Sequence, residues 1–187
     1  MARFFNTTGN CRPEWHYMVP AVPRLPEAAG LIEQMNYFVV HAPRQTGKTT
    51  TLIALAKELT ASGKFAAVHF SCEQARVYPE DVRTAEYVIL KSMAGDAAHD
   101  LPKELCPPPI DMTGEGSWLM SNLAAWARQC PRPLVLFFDE IDSLSGASLL
   151  SVLSQLRAGF KVRPREFPVS IILCGLRDVR DYKMASG

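Results

Sequence analysis

The segment from Ala42 to Thr49, which reads APRQTGKT, has the residue types and the spacing of a loop that binds phosphate groups. In such a loop, backbone N–H groups and the N-terminus of the following helix converge on the anion. Gly47 has no Cβ, so the backbone can approach the phosphates closely. We expect Lys48 to contact the β- and γ-phosphates of a nucleotide and Thr49 to offer its hydroxyl to Mg²⁺.

The predicted nucleotide-binding residues are consecutive in the chain. They are Ala42, Pro43, Arg44, Gln45, Thr46, Gly47, Lys48, Thr49 and Thr50. Ala42 stands where this pattern usually has its first glycine. Because the position lies at a strand exit, where a negative φ suits alanine, we expect Ala42 to leave the site intact.

A second motif, LVLFFDE, is an apolar strand that ends in the two carboxylates Asp139 and Glu140. The carboxyl ends of parallel strands meet at one edge of a sheet, so Asp139 is expected beside the phosphate-binding loop. There it would hold Mg²⁺ directly or through water, together with Thr49. Glu140 would polarise a water for attack on the γ-phosphate, which makes Glu140 and Lys48 the predicted catalytic residues.

Each motif also has a simpler interpretation. Acid pairs after strands are often ordinary loop residues, and the glycine and lysine of the loop would suit any turn between a strand and a helix. The two motifs support one another because a strand must precede the loop and a helix must follow it. The run Tyr37–Ala42 is apolar and predicts that strand, buried on both faces, while Thr49 begins a helical pattern that Gly63 is placed to end.

The rest of the chain alternates between strand and helix patterns. Strands are predicted over 65–70, 133–140 and 169–175, and helices over 26–35, 80–100, 117–129 and 149–160, with Ser117 as an N-cap. This alternation predicts an α/β fold with crossover connections on a parallel sheet.

The chain resembles the AAA+ and STAND-like P-loop ATPases through APRQTGKTT, LVLFFDEID and IILCGLRDVRDYK. More narrowly, NTTGNCRPEWHYMVP, HAPRQTGKTT and CGLRDVRDYK together resemble bacterial proteins described as ATP-binding or AAA-like domains. The resemblance implies a P-loop NTPase three-layer sandwich with a mostly parallel central sheet and helices on both faces. It also implies ATP and Mg²⁺ as cofactors, Ala42–Thr49 as Walker A, Asp139 as the Walker B acid and Glu140 as the catalytic base.

Two features depart from that family. The strand after Walker B usually ends in a polar sensor residue, but here the position falls on Cys174 or Gly175, with Arg177 as a substitute or as an ordinary solvated cation. The helical lid of AAA+ proteins does not follow. We therefore expect an N-terminal irregular arm over 1–26 and a P-loop ATPase core over 27–187 without its lid, either a fragment of a longer protein or a reduced core.

Composition narrows the partners. The 20 Lys and Arg balance the 19 Asp and Glu, so charge does not indicate nucleic acid as a partner, although the basic run Arg157–Phe167 leaves it open beside a solvated helix end. No apolar run has the length of a membrane span or a signal peptide, which predicts a cytoplasmic protein without a membrane partner. The five cysteines have no disulfide spacing and are expected to be free thiols.

The leading hypothesis is a Mg²⁺-dependent ATPase that couples nucleotide state to a conformational change or to assembly, with an unknown protein partner or with itself. The alternative is an ATP-gated signalling switch with negligible hydrolysis. Within the arm, Tyr17 and Arg24 lie in a segment that runs near the adenine in relatives. Two interpretations remain open, a contact of one of these residues with the base and ordinary surface packing.

Overall fold

A computed structural model of the chain describes residues 3–5, 14–17, 22–43, 46–114 and 116–175. The predictions for Cys11, Arg44, Gln45 and Arg177 lie outside the described residues. The described cysteines, which are Cys72, Cys106, Cys130 and Cys174, are free thiols.

Strands and helices alternate along the described chain. The strands are β1 (Phe38–His41), β2 (Ala66–Ser71), β3 (Leu134–Asp139) and β4 (Ser170–Gly175). The helices are α1 (Ala28–Glu33), α2 (Lys48–Ala61), α3 (Val82–Asp100), α4 (Trp118–Gln129) and α5 (Gly146–Gly159). Short 3₁₀ helices cover Val22–Arg24, Glu73–Val77, Lys103–Leu105, Ile141–Ser143 and Phe160–Val162.

The described strands form one parallel sheet of four strands in the order β1-β4-β3-β2. Parallel neighbours require crossover connections, and the helices between the strands supply them. The register places Ser71 of β2 opposite Asp139 of β3, and His41 of β1 opposite Gly175 of β4. The carboxyl ends of all the strands therefore lie at one edge, as the predicted α/β fold of P-loop NTPases requires.

Apolar side chains fill both faces of this sheet. One hydrophobic cluster joins the sheet to α3, α4 and α5, and a second joins it to α1 and α2. All six residues of β3 are buried, which explains why this strand is a continuous apolar run up to its terminal aspartate. Strand β3 therefore lies between two apolar layers, and Asp139 at its end lies at the edge where the carboxyl ends of the strands meet.

Strand β1 differs from the prediction that it is buried on both faces. Val39 is 38% exposed and His41 is exposed at the strand end. This exposure goes with the position of β1, which is one of the two edge strands of the described sheet and pairs with β4 alone. A run of apolar residues does not distinguish an edge strand from a central one.

Ser117 stands at the N-cap position of α4, as expected, but the prediction that its side chain caps the helix is wrong. The Ser117 side chain makes no capping hydrogen bond. Instead, the Leu119 N–H donates to Glu86 Oε2 at 3.0 Å and the Met120 N–H donates to Gln155 Oε1 at 2.9 Å. Side chains of α3 and α5 therefore satisfy the helix start that a local serine was expected to cap.

In the part of the chain that the structure describes, no helix combines the length and the apolar character needed to cross a membrane.

Candidate functional site

The phosphate-binding loop connects the end of β1 to the start of α2, as the sequence predicts. Gly47 immediately precedes the helix and has φ +82°, a left-handed conformation that favours glycine. Ala42 is not among the described residues with positive φ, so an alanine is unstrained at that position. The structure thus agrees with the expectation that Gly47, rather than position 42, needs glycine.

Lys48 is folded back onto its own loop. Its Nζ donates to the carbonyl oxygens of Ala42 and of Pro43, the latter at 3.1 Å. An ammonium group has three N–H donors and is held here by neutral acceptors. A phosphate oxygen carries negative charge and is a stronger acceptor for the same group.

Arg24 reaches the same loop from outside the core elements. Its Nη1 donates to the carbonyl oxygen of Thr46 at 2.8 Å, while Thr46 Oγ1 donates to the carbonyl of Pro43 at 2.9 Å. The sequence placed Arg24 in the arm but did not predict this contact with the loop. Tyr17, by contrast, packs within the arm, with its ring 5.1 Å from that of Phe5.

Asp139 lies at the end of β3 and joins this strand to the loop. Its Oδ2 accepts hydrogen bonds from Thr49 Oγ1 at 2.7 Å and from His69 Nε2 at 3.0 Å, and its Oδ1 accepts one from the Glu140 N–H at 2.9 Å. Burial raises the pKa of Asp139, but the hydrogen bonds from His69 and Thr49 outweigh it and hold the pKa below its ordinary value. The carboxylate is therefore ionised at neutral pH although it is only 2% exposed.

The atoms around Thr49 and Asp139 suit a Mg²⁺ ion. Both side chains present oxygen, the ligand that Mg²⁺ prefers, and the two oxygens are close enough to share one ion. Within the described ranges, no three His, Cys, Asp or Glu side chains come together as a metal site. An ion held here would complete its coordination with phosphate oxygens and water, which is the usual arrangement for Mg²⁺ at nucleotides.

Glu140 follows Asp139 directly but has a different environment. It is exposed, and its backbone adopts φ +56°, which is uncommon for a residue other than glycine. The turn separates the two carboxylates, and Ser71 Oγ donates to Glu140 Oε2 at 2.5 Å. Strained backbone that neighbouring structure holds in place is typical of functional sites.

At the end of β4, the expected sensor position is occupied by Cys174 and Gly175. Burial and the negative charge of Asp139 raise the pKa of the Cys174 thiol, which hydrogen-bonds to Asp139 as a neutral group. A Cβ at Gly175 would lie 2.8 Å from Asp142 Oδ1, so a larger side chain fits there only if Asp142 moves. The described end of β4 therefore brings a weak thiol donor to this edge.

Sequence reasoning missed two polar residues of β2, His69 and Ser71. Each contacts one of the predicted acids, Asp139 and Glu140 respectively. The rule that ligands gather at the carboxyl ends of parallel strands applies to β2 as much as to β3. The polar residues of VHFS could have been found by applying it to every strand.

The basic run near residue 160 contributes to packing. The guanidinium of Arg163 lies over the rings of Phe160 and Tyr37, at 3.4 and 4.7 Å from their centroids. It also donates to the carbonyl of Val169 at 2.9 Å. This arginine therefore links the 3₁₀ helix that follows α5 to Tyr37 and to Val169, the residue before β4, which is a structural role within the fold.

Comparison with protein families agrees with this arrangement. A family model described as an AAA domain matches residues 32–182, which is most of the chain and includes the loop and both of the strands β3 and β4. No curated protein matches the chain.

Proposed function

The chain belongs to the AAA domain family, which indicates nucleotide binding and ATPase activity in general terms, and from this premise we propose that it binds ATP with Mg²⁺ and hydrolyses the γ-phosphate. The observation that carries the proposal is the 2.7 Å hydrogen bond between Thr49 and Asp139. This contact brings the loop and the acidic strand, which are distant in sequence, into one site.

The loop would bind the phosphate chain. Backbone N–H groups between Ala42 and Thr50, apart from Pro43, which has none, and the N-terminus of α2 would provide donors for an anion. Lys48 would exchange the carbonyl oxygens of Ala42 and Pro43 for phosphate oxygens, because a hydrogen bond to a charged acceptor is stronger. Thr49 and Asp139 would hold Mg²⁺, which neutralises charge on the β- and γ-phosphates when it is bound.

Glu140 is the proposed general base. Its exposed carboxylate can accept a proton from a water molecule as that water attacks the γ-phosphate. Ser71 orients this carboxylate through its hydrogen bond to Oε2. Asp139 is unsuited to this role because its carboxylate is only 2% exposed and is the proposed ligand of Mg²⁺.

A second function, an ATP-gated switch with negligible hydrolysis, is favoured by one observation. The end of β4 offers the neutral Cys174 thiol and no side chain at Gly175, where a stronger polar group would orient the attacking water. Glu140 favours hydrolysis, and so the two functions differ in turnover and not in binding. For either function we propose a cytoplasmic protein that acts on a protein partner or on further copies of itself.

The test compares ATP binding and phosphate release in the full chain with Mg²⁺. Lys48→Ala should abolish detectable binding, whereas Glu140→Gln should bind ATP as the wild type does and lose about 10²- to 10⁴-fold in turnover. The matched controls are Lys57→Ala and Glu58→Gln, because both residues are exposed on α2 and carry the same charges away from the loop.

The outcomes separate the two functions. Negligible turnover in the wild type, no greater than that of Glu140→Gln and with ATP bound in both, would leave the switch as the function, whereas equal and substantial turnover would contradict the role of Glu140 as the base. If Lys48→Ala bound ATP as tightly as the wild type, neither function would stand.

A further inference from the structure

Arg24 occupies an anchored position next to the phosphate-binding loop. It ends the 3₁₀ helix Val22–Arg24, and the next residue, Leu25, packs against the hydrophobic cluster of α1 and α2. The Leu25 carbonyl also accepts a hydrogen bond from the Ala28 N–H at 3.1 Å. The backbone at Arg24 is therefore held on the core while its side chain remains exposed.

The Arg24 guanidinium lies close to Gly47, the glycine that the phosphates of a bound nucleotide would approach. A Cβ placed on Gly47 would be 3.0 Å from Arg24 Nη1, and the same nitrogen donates to the Thr46 carbonyl at 2.8 Å. A guanidinium has five N–H donors, so this hydrogen bond leaves others for a second acceptor.

Neither Arg24 nor Lys48 forms a salt bridge with a carboxylate in the part of the chain that the structure describes. The two cations instead donate to carbonyl oxygens of one loop, those of Ala42, Pro43 and Thr46. Neutral acceptors leave the positive charge of each group uncompensated, and a polyanion bound at this loop would attract both.

We propose that Arg24 is a second cation for the phosphate groups of the bound nucleotide, acting with Lys48. This inference rests on the proposed function. Arginine suits phosphate because its planar donors match two oxygens at once. Since Arg24 precedes the core elements, the contact would fix the segment around Val22–Arg24 more firmly when a nucleotide is bound.

The competing explanation is that Arg24 only supports the loop through Thr46. The two roles differ in what they require of the side chain. Support of the loop needs a donor, which Arg24→Gln retains, whereas a phosphate contact needs positive charge, which Arg24→Lys retains. The salt dependence of binding also separates them, because a charge that contacts phosphate makes affinity fall more steeply with ionic strength.

The experiment measures the affinity of the full chain for Mg-ATP at low and at high salt, and its melting temperature without nucleotide. Arg24→Gln should bind ATP about tenfold more weakly or worse, with a shallower salt dependence and an unchanged melting temperature. Arg24→Lys should recover most of the affinity. Arg128→Gln, which removes an exposed arginine of α4, is the control and should bind as the wild type does.

The inference fails alone if Lys48→Ala loses ATP binding while Arg24→Gln binds within twofold of the wild type. It also fails if Arg24→Gln and Arg24→Lys are equally weak, lower the melting temperature and keep the wild-type salt dependence, since the loss would then come from a disturbed loop and not from the missing charge. If the wild type does not bind ATP, the proposed function fails with it.

Discussion

Two carboxylates in this molecule are almost completely removed from solvent, and they lie in different kinds of surroundings. Glu86 of α3 is 0% exposed and Asp139 of β3 is 2% exposed. Both accept at least three hydrogen bonds from backbone and side-chain groups. Burial and hydrogen bonding alone would therefore assign them the same role.

The surroundings of Glu86 form a closed network inside the helical layer. Oε2 accepts the Leu119 N–H at 3.0 Å, and Oε1 accepts Ser151 Oγ at 2.7 Å and the amide of Gln155. Gln155 in turn accepts the Met120 N–H at 2.9 Å. Every donor belongs to α4 or α5, so the carboxylate links α3 to these two helices. It also accepts a backbone N–H from the first turn of α4.

The surroundings of Asp139 open toward the phosphate-binding loop. One donor, Thr49, belongs to the first turn of the helix that follows this loop, and another, Glu140, begins the turn after β3. Hydroxyl and imidazole groups such as those of Thr49 and His69 can donate or accept a hydrogen bond. The kind of donor and its place in the fold therefore distinguish the structural role of Glu86 from the role that we propose for Asp139.

The largest expected effect is on stability and comes from Glu86→Ala. The substitution leaves the Leu119 N–H and the Gln155 amide without their acceptor and creates a cavity, which should lower the free energy of unfolding by about 3–5 kcal/mol. Urea unfolding measures this loss, with Lys91→Ala, an exposed change on the same helix, as the control. A loss no larger than that of Lys91→Ala would contradict the structural role.

For Asp139→Asn we expect a large loss of ATP turnover and only a small loss of stability. Turnover of Mg-ATP should fall by about 100-fold or more, because the amide is a poor ligand for Mg²⁺. The free energy of unfolding without nucleotide should fall by about 1 kcal/mol, since Thr49 and His69 can reverse their hydrogen bonds to an amide. Phosphate release and urea unfolding test the two parts, and a variant that unfolds easily but turns over ATP normally would reverse the comparison.

Of the two buried acids, the sequence predicted the place of Asp139, which depends on a local pattern, and not the burial of Glu86. Asp139 ends an apolar strand, and a strand, loop and helix precede it in the order that P-loop folds require, so motif and topology were sufficient. Glu86 lies within a helical pattern, where a glutamate is ordinarily a solvated residue. Its burial depends on how α3, α4 and α5 pack together, and no spacing along one helix contains that information.

The same limit explains the other differences. Ser117 was a reasonable cap by local rules, but Glu86 and Gln155 satisfy that helix start from distant parts of the chain. Arg24 reaches the loop because Leu25 anchors the preceding segment on the core, which is again a tertiary effect. Sequence patterns predicted the elements and the two motifs, while long-range packing decided which further polar groups meet them.

The smallest expected effect is the pH dependence of the contribution that Asp139 makes to stability. Burial raises the pKa of Asp139, but the hydrogen bonds from His69 and Thr49 lower it by more than burial raises it. The folded pKa therefore lies below the unfolded value of about 3.9. Its stabilising contribution is therefore complete above that unfolded value and is lost as the pH falls through the folded one.

The difference in unfolding free energy between the wild type and Asp139→Asn, measured without nucleotide or divalent ions, should be constant above about pH 5 and should shrink below about pH 4. Glu58→Gln, an exposed change on α2, is the control and should show a much smaller change over the same range. A difference that grew as the pH fell would mean that the folded protein prefers the protonated acid, and Asp139 would then resemble an ordinary buried carboxyl group rather than an ion held ready for a metal.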